Sequence, residues 1–375
     1  MQIQLSDDQR LFVETTRRYL EAESPLSRVR ELCDDPVGFT ADYWRRGAEL
    51  GWTAPLVPED LGGGSVSGGG LLDLVLVAEE MGRSVAPGPL LPVNVVAEAL
   101  ARAGASGIAR HLLDGLVEGR LVATWAFAEG DTRWDAAGVE LQAVASGSDW
   151  LLSGRKSYVQ DAGAADWLLV TARTGKGLTQ LLVARDAPGV TLAPLVSLDM
   201  VRRFAHVAFD GVRVSSAAVV GDVGGAAADV ERQLQTALVI QCAEMVGATD
   251  RVFAFTLDYC MDRVSFGRPI GSYQAIKHRL ADMKLWLEAC LGTATAAARA
   301  VAEDSSDAAE LVSVAKAYVA DRAPAILQDC VQMHGGIGVS WDADLHLYLR
   351  RVAQDAALYG TVAQHRERLA VLLGM

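Results

Sequence analysis

Val122-Ala123-Thr124-Trp125-Ala126-Phe127 marks the point at which the chain changes texture. This run of apolar and β-favouring residues has no helical spacing and predicts a buried strand. On its N-terminal side, residues 5–22 set Leu5, Phe12, Val13 and Leu20 near one helical face. Helical patterning returns over Leu71 to Met81, Val93 to Ala103 and Ile108 to Val117. Gly51 to Gly70, with Pro55 and Pro58, predicts a loop region between helices. On the C-terminal side, Val139 to Ala143 alternates, and Trp150 to Gly154 predicts a strand followed by a turn. Trp167 to Val170 and Gln180 to Val183 predict further buried strands, and Ala205 to Asp210 runs up to a turn at Asp210-Gly211.

Beyond the glycine-rich linker Gly221 to Gly225, helical periodicity resumes over Ala228 to Arg263, Tyr273 to Glu303, Asp307 to His334 and Thr361 to Leu373. Pro324 either kinks the third of these or occupies the first turn of a new helix. Segregated runs of helices, strands and helices predict an α+β protein rather than a doubly wound sheet. The expected division is an N-terminal α-helical domain over 1–120, a central β domain of short strands, barrel or sandwich, over 121–225, and a C-terminal helical bundle over 226–375.

Composition narrows the function. The 375 residues carry a formal net charge of −13 and no block of basic residues, which excludes a nucleic-acid partner. A single local cationic site still permits an anionic ligand. Cys33, Cys242, Cys260, Cys290 and Cys330 are odd in number and widely spaced, and we read them as reduced, buried, small hydrophobes of a cytoplasmic protein. No CxxC or HExxH pattern occurs, so no metal site is expected. Met1 to Asp8 has no signal-peptide character, and no apolar run is long enough to predict a membrane span. The positive mean hydropathy is assigned to buried helices and a subunit interface. No GxGxxG joins a strand to a helix, and the glycines at 62–64 and 68–70 read as flexible loop.

Two segments carry candidate chemistry. Arg263-Val264-Ser265-Phe266-Gly267, followed by Gln274, closes a long helix with a cation. Arg263 is either a helix-terminal cation favoured by the dipole or a guanidinium placed for bidentate binding of a diphosphate; the spacing to Phe266, Gly267 and Gln274 favours the second. Gln332-Met333-His334-Gly335-Gly336-Ile337-Gly338 is either an ordinary C-cap turn or a place where backbone N–H groups approach a ligand closely.

With these segments, the chain resembles the acyl-CoA dehydrogenase family over nearly its whole length, including actinobacterial-type members of the heterotetrameric branch acting on steroid side chains. The similarity includes Gly51-Trp52 through Val57-Pro58-Glu59, Gly62-Gly63, Ala78-Glu79-Glu80-Met81-Gly82-Arg83, Gly154-Arg155-Lys156-Ser157-Tyr158-Val159 and Leu280-Ala281-Asp282-Met283. The resemblance implies a helical domain, a β domain and a C-terminal four-helix bundle, with bound FAD. It implies α,β-dehydrogenation of an acyl-CoA thioester in fatty acid or steroid side-chain β-oxidation, with electron-transfer flavoprotein or a similar acceptor. Arg263, Phe266, Gln274, Gln332, Gly335 and Gly336 match positions that reach the flavin dinucleotide of a neighbouring subunit, and Thr361 matches one near the adenine end. Tyr158 and Gln160 fall where Trp-x-Thr usually borders the flavin ring, and Ala128-Glu129-Gly130-Asp131 replaces the usual Thr-Glu-Pro-Gly. A homo- or hetero-oligomer follows, a dimer at least and most simply a tetramer.

In that chemistry a carboxylate removes the α-proton while the β-hydrogen leaves as hydride to flavin N5, so base and flavin stand on opposite faces of the acyl chain. The two usual base positions hold Ala237 and Tyr359, and Leu238 replaces a common arginine. Glu244 remains as a candidate base, the only charge between Ala237 and Ala248 and about two turns, ~10 Å, beyond Ala237. It is otherwise a carboxylate in a structural ion pair. The chain is therefore expected to be an acyl-CoA dehydrogenase for a bulky or branched acyl group, or a non-catalytic partner subunit that completes a sister chain's FAD site. A diverged flavoprotein with oxidase chemistry is a third reading.

Overall fold

The computed structural model describes residues 5–130 and 134–375. Six helices open the chain: α1 (Asp7–Glu23), α2 (Leu26–Glu31), α3 (Ala41–Glu49), α4 (Leu71–Ser84), α5 (Leu90–Arg102) and α6 (Gly107–Val117). A capping box between Ser6 and Gln9 starts α1 and satisfies two backbone donors there. The sequence did not suggest α2 or α3. The first is too short to show a period, and the second is a nine-residue helix that buries Tyr43, Trp44, Gly47 and Ala48.

The central strands are β1 (Ala123–Ala126), β2 (Gln142–Ser146), β3 (Asp149–Gln160), β4 (Trp167–Thr174), β5 (Gly177–Ala184), β6 (Val190–Leu195), β7 (Phe204–Ser215) and β8 (Val219–Val220). They form one eight-stranded sheet in the order β6-β7-β3-β2-β4-β5-β8, with β1 parallel to β4. Both expected turns inside this region lie within strands. Leu152 pairs with Val212 and Gly154 with Phe209, so Asp210 and Gly211 together oppose Ser153. That is a β-bulge, and Gly211 (φ 59°) supplies its left-handed residue. An Asp-Gly pair carries the same local signal in a bulge as in a hairpin, which is why β3 and β7 run longer than expected.

The C-terminal domain comprises α7 (Ala227–Asp262), a small hairpin of β9 (Val264–Ser265) and β10 (Arg268–Pro269), α8 (Gln274–Ala302), α9 (Ala308–His334), α10 (Leu345–Ala357) and α11 (Val362–Leu372). Pro324 lies inside a continuous α9, where Ala323, Ile326 and Leu327 are buried around it. The sequence reading did not anticipate α10. Its inward face is Leu345, Tyr348, Arg351, Val352 and Asp355, and two charges on that face hide its apolar period.

Helices α4 and α7 cross at backbone contact. A Cβ on Gly82 would meet Glu244 O at 2.0 Å, and one on Gly247 would meet Glu79 O at 2.0 Å. Gly247→Ala should therefore cost about 1–3 kcal/mol, because backbone rather than a flexible side chain must move. A urea titration reads this as a lower midpoint; an unchanged midpoint would show that the crossing can spread freely. The cysteines are free, with Cys242, Cys260, Cys290 and Cys330 buried and Cys33 partly so. Among the described residues no helix is long and apolar enough to cross a membrane.

Candidate functional site

The first set of predicted residues lies on an outward face of the C-terminal domain. Arg263 caps α7, and its carbonyl accepts from Ile270 N at 2.8 Å, which closes the β9–β10 hairpin. Phe266 (φ 50°) and Gly267 (φ 80°) form the two-residue tip, and both left-handed residues match the twist of a tight hairpin. The strained Phe266 is 95% exposed. A large aromatic held in an unfavourable backbone conformation and left in solvent is poor use of an apolar side chain unless something covers it. Arg268 lies 3.9 Å over the Tyr273 ring, and Tyr273 Oη donates to Ser265 O at 3.0 Å, so the hairpin is braced from behind.

Gln274 opens α8, and Gln332 lies in the last turn of α9; both are exposed. Gly335 (φ 62°) ends α9, and a Cβ on Gly335 or Gly336 would meet nothing within 4 Å. A cavity of about 600 Å³ opens beside them, lined by Phe266, Ile270, Tyr273, Arg279, Gln332 and Met333. Arg263 makes no ion pair among the described residues and is exposed. This face brings together an unpaired guanidinium, side-chain amides, an aromatic plate and open glycines.

Glu244 lies elsewhere, in a buried cluster that the sequence did not foreshadow. Arg202 Nη2 donates to Glu244 Oε1 at 2.6 Å and its Nη1 to Asp355 Oδ1 at 2.7 Å. Arg351 pairs through Nε with Asp199 and stands 3.6 Å from Glu244 Oε1. Lys316 Nζ donates to Gln241 Oε1 and to Asp355 O, each at 2.5 Å. Three carboxylates face three cations, and all six are buried. The segment between β6 and β7 supplies Asp199 and Arg202, α7 supplies Glu244, α9 Lys316, and α10 Arg351 and Asp355.

Burial raises the Asp355 carboxyl to about 7 against the pull of Arg202, and burial lowers the Lys316 ammonium to about 8. Burial works against Asp199, but Arg351 and Arg202 hold its carboxyl below the usual range. Glu244 Oε2 and Asp355 Oδ2 have no hydrogen-bond partner among the described residues. Of the two roles the sequence left open for Glu244, the ion pair is directly visible.

Tyr158, Gln160 and Tyr359 sit at the edge of the β domain. Tyr158 (φ 53°) is half-buried, with its ring 6.0 Å from Trp134 and 5.8 Å from His206. Gln160 is buried, and its Nε2 donates to Asp161 Oδ2 at 3.0 Å. Tyr359 (φ 57°) stacks parallel to Trp125 at 6.4 Å and meets Trp134 at 5.1 Å. Burial pushes its phenol up, with Arg202 opposing. A second cavity, about 610 Å³, is lined by Trp134, Leu234, Leu238, Tyr359, His365 and Arg368 among others, and Glu244 does not line it. Thr361 is the N-cap of α11, where its hydroxyl accepts from Gln364 N at 3.3 Å. Of the Ala128–Asp131 segment, Asp131 lies outside the described residues, while Glu129 accepts from the fully buried Lys156 at 2.5 Å.

A helical domain, a β domain and a helical bundle follow one another in this order, and the bundle presents Arg263, Gln274, Gln332 and open glycines on one outward face. Residues 6–120, 124–212 and 226–373 match the N-terminal, middle and C-terminal domains of acyl-CoA dehydrogenases. The chain belongs to the acyl-CoA dehydrogenase family. It is 30% identical over 368 residues to acyl-CoA dehydrogenase IpdE2 of Mycolicibacterium smegmatis, covering 97% of this chain and 98% of that one. It resembles the ChsE4–ChsE5 complex from Mycobacterium tuberculosis with a TM-score of 0.87 and 28% identity, covering 100% of this chain and 99% of that one. Butyryl-CoA dehydrogenase of Megasphaera elsdenii shares the fold, with a TM-score of 0.90, 24% identity and complete coverage of both chains.

FAD is the cofactor of this family. The outward face fits its dinucleotide part: Arg263 offers bidentate donors to a diphosphate, Gln274 and Gln332 offer amides, and Gly335 and Gly336 leave room for close backbone approach. Tyr158 and Gln160 fit its ring less well, since Trp134 and His206 lie against Tyr158 and Asp161 takes the amide of Gln160.

Proposed function

We propose that this chain is a subunit of an FAD-dependent acyl-CoA dehydrogenase whose flavin lies across a subunit boundary. The observation that carries the reading is the outward face, where Arg263, Phe266, Gln274, Gln332, Gly335 and Gly336 are presented to solvent, within reach of a ligand held by another chain. FAD would be held by Arg263, Gln274 and Gln332 and would supply the acceptor for a hydride from the β-carbon of the acyl group. The chain's own residues grip the diphosphate, cover the dinucleotide with Phe266, and hold the hairpin in place through Arg268 and Tyr273. Electron-transfer flavoprotein or a similar acceptor would take the electrons on. The substrate is an acyl-CoA, and a bulky or branched acyl group fits a chain similar to steroid-type relatives. The assembly is a dimer at least, a tetramer in its simplest form.

In a chain complete in itself, Glu244 is the base. One of its oxygens is anchored by Arg202 and the other lacks a partner, an arrangement that suits an oriented proton acceptor. A partner subunit that lends its grip to a sister chain is the second reading. It is favoured by the Glu244–Arg202 pair, by a cavity that stops at Tyr359, and by Ala237 and Tyr359 at the usual base positions. Glu244→Gln in the purified assembly separates the two. Loss of flavin reduction by acyl-CoA, by about 10²-fold or more with FAD retained, makes Glu244 the base. Unchanged reduction removes it from the mechanism and leaves the partner role.

A further inference from the structure

Four fully or almost fully buried side chains around Arg202 each carry a polar atom that no group among the described residues pairs. Two of the atoms are acceptors, Glu244 Oε2 and Asp355 Oδ2, and two are donors, Gln241 Nε2 and Arg351 Nη1. They belong to one connected group. Arg202 joins Glu244 to Asp355, Lys316 joins Gln241 to the Asp355 carbonyl, and Arg351 Nη1 stands 3.6 Å from Glu244 Oε1. Buried polar atoms seldom go unsatisfied, and a buried water is the usual remedy where protein groups fall short. Two acceptors and two donors are the complement of one water molecule. A further unpaired atom, Gln354 Nε2, marks the edge of the cluster, where Gln354 Oε1 accepts from Ser197 Oγ at 2.5 Å, next to the exposed Val196.

With its three carboxylates and three cations ionised, the cluster is neutral. A proton delivered to it settles on the carboxylate that the cations hold least. Asp199 is excluded, because Arg351 pairs with it and its Oδ1 accepts from Val201 N at 2.8 Å and Arg202 N at 2.9 Å. Glu244 faces two guanidiniums, Arg202 at 2.6 Å and Arg351 at 3.6 Å. The Asp355 carboxylate pairs with one, Arg202 at 2.7 Å, since Lys316 bonds its backbone carbonyl instead. Burial acts in the same direction and raises the Asp355 carboxyl to about 7.

We infer that Asp355 stands behind Glu244 as the second station of the α-proton, joined to it by a buried water between Glu244 Oε2 and Asp355 Oδ2. This rests on the reading of Glu244 as the base and deepens it. The α C–H bond breaks, an O–H bond forms on Glu244, and the electron pair stays with the acyl group in the new double bond. The water then accepts the Glu244 proton and gives one of its own to Asp355. One proton has moved, the water is restored and Glu244 is a carboxylate again. Arg202 evens the exchange, because it holds one oxygen of each carboxylate and keeps its place whichever of them carries the proton. Asp355 acts through Glu244 and touches no substrate.

The test uses the purified assembly with FAD and, as probe, the CoA thioester of a steroid side-chain acid. Flavin reduction should rise with pH through about 7, as Asp355 ionises and becomes able to accept. Among the other titratable groups around the cluster, Asp199 stays ionised, and burial keeps Tyr359 and Cys242 neutral. Asp161 ionises lower, at about 6, and Lys316 loses its proton higher, at about 8. Asp355→Asn should lower the rate by about 10²-fold, flatten the rising limb and leave KM unchanged. Asp355→Glu should bring the limb back. In D2O the wild type should carry deuterium into the α-position of recovered acyl-CoA, and Asp355→Asn should lose this exchange more steeply than it loses reduction. A purely structural role slows both alike. Should Asp355→Asn not fold, the wild type itself decides. At pH 8 the probe should raise an infrared band of a protonated carboxyl, and carbon-13 in the aspartate side-chain carboxyls should shift that band. A band that the label leaves unmoved, or an unchanged limb and exchange in Asp355→Asn, overturns the inference and leaves Glu244 as the base. No reduction by the probe, no band, or full reduction in Glu244→Gln overturns the base reading and this inference with it.

Discussion

Arg263→Glu should strip FAD from the assembly while leaving the fold untouched. Arg263 is exposed, caps α7 through its backbone, and makes no ion pair among the described residues, so its side chain contributes little to folding. A charge-assisted hydrogen bond contributes about 1.5–3 kcal/mol. A guanidinium that donates two such bonds to a diphosphate loses them on mutation, and the new carboxylate repels the same anion. The expected loss of FAD affinity is on the order of 10²–10³-fold, read by retained absorbance after gel filtration and by titration with free FAD. The thermal midpoint should stay with the wild type. Full flavin retention in the charge-reversed assembly would exclude Arg263 from the cofactor site.

Arg202→Leu should be the most damaging single change to stability. Arg202 bridges Glu244 and Asp355, and no other side chain donates to either of those carboxylates within hydrogen-bond distance among the described residues. Removing one partner of a buried ion pair costs about 3–5 kcal/mol, because the remaining charge is left uncompensated. The exposed Arg10–Asp7 pair gives the contrast: its side chains are 62% and 96% accessible, and Arg10→Ala should fall within about 0.5 kcal/mol of wild type. The pH dependence follows from Asp355. Burial raises its folded-state carboxyl to about 7, above its unfolded value, so its contribution to stability is complete in acid and is lost as pH rises through 7. A protonated Asp355 needs no counter-ion, so the deficit of Arg202→Leu should widen between pH 5 and pH 8. Adding Asp355→Asn should recover part of it, because one of the two orphaned charges is gone. Denaturant midpoints across that pH range check both statements; a deficit independent of pH would show that packing, not charge, sets the cost.

Much of the architecture was legible in the chain. Period-3.6 spacing marked α1, α4 to α9 and α11, and apolar runs marked β1, β4 and β5. The order of helices and strands was enough for the α+β class. Arg263, Phe266, Gln332 and the glycines after it could be named because hairpins, helix ends and glycine turns are local features, written within a few residues. Asp210-Gly211 and Gly154 show where local reading stops. A bulge and a turn need the same residues, and only pairing with the neighbouring strand decides between them.

The sequence by itself determined the fold class and the chemistry of the outward face, because both depend on short-range spacing. Only the tertiary structure decided what surrounds Glu244 and Tyr359. Glu244 and Asp355 are separated by 42 and 153 residues from Arg202, the arginine they share, and Trp134 reaches Tyr359 from another domain. Buried charges and packed aromatic rings acquire their roles from neighbours that long-range folding supplies, and no spacing rule along the chain encodes those neighbours.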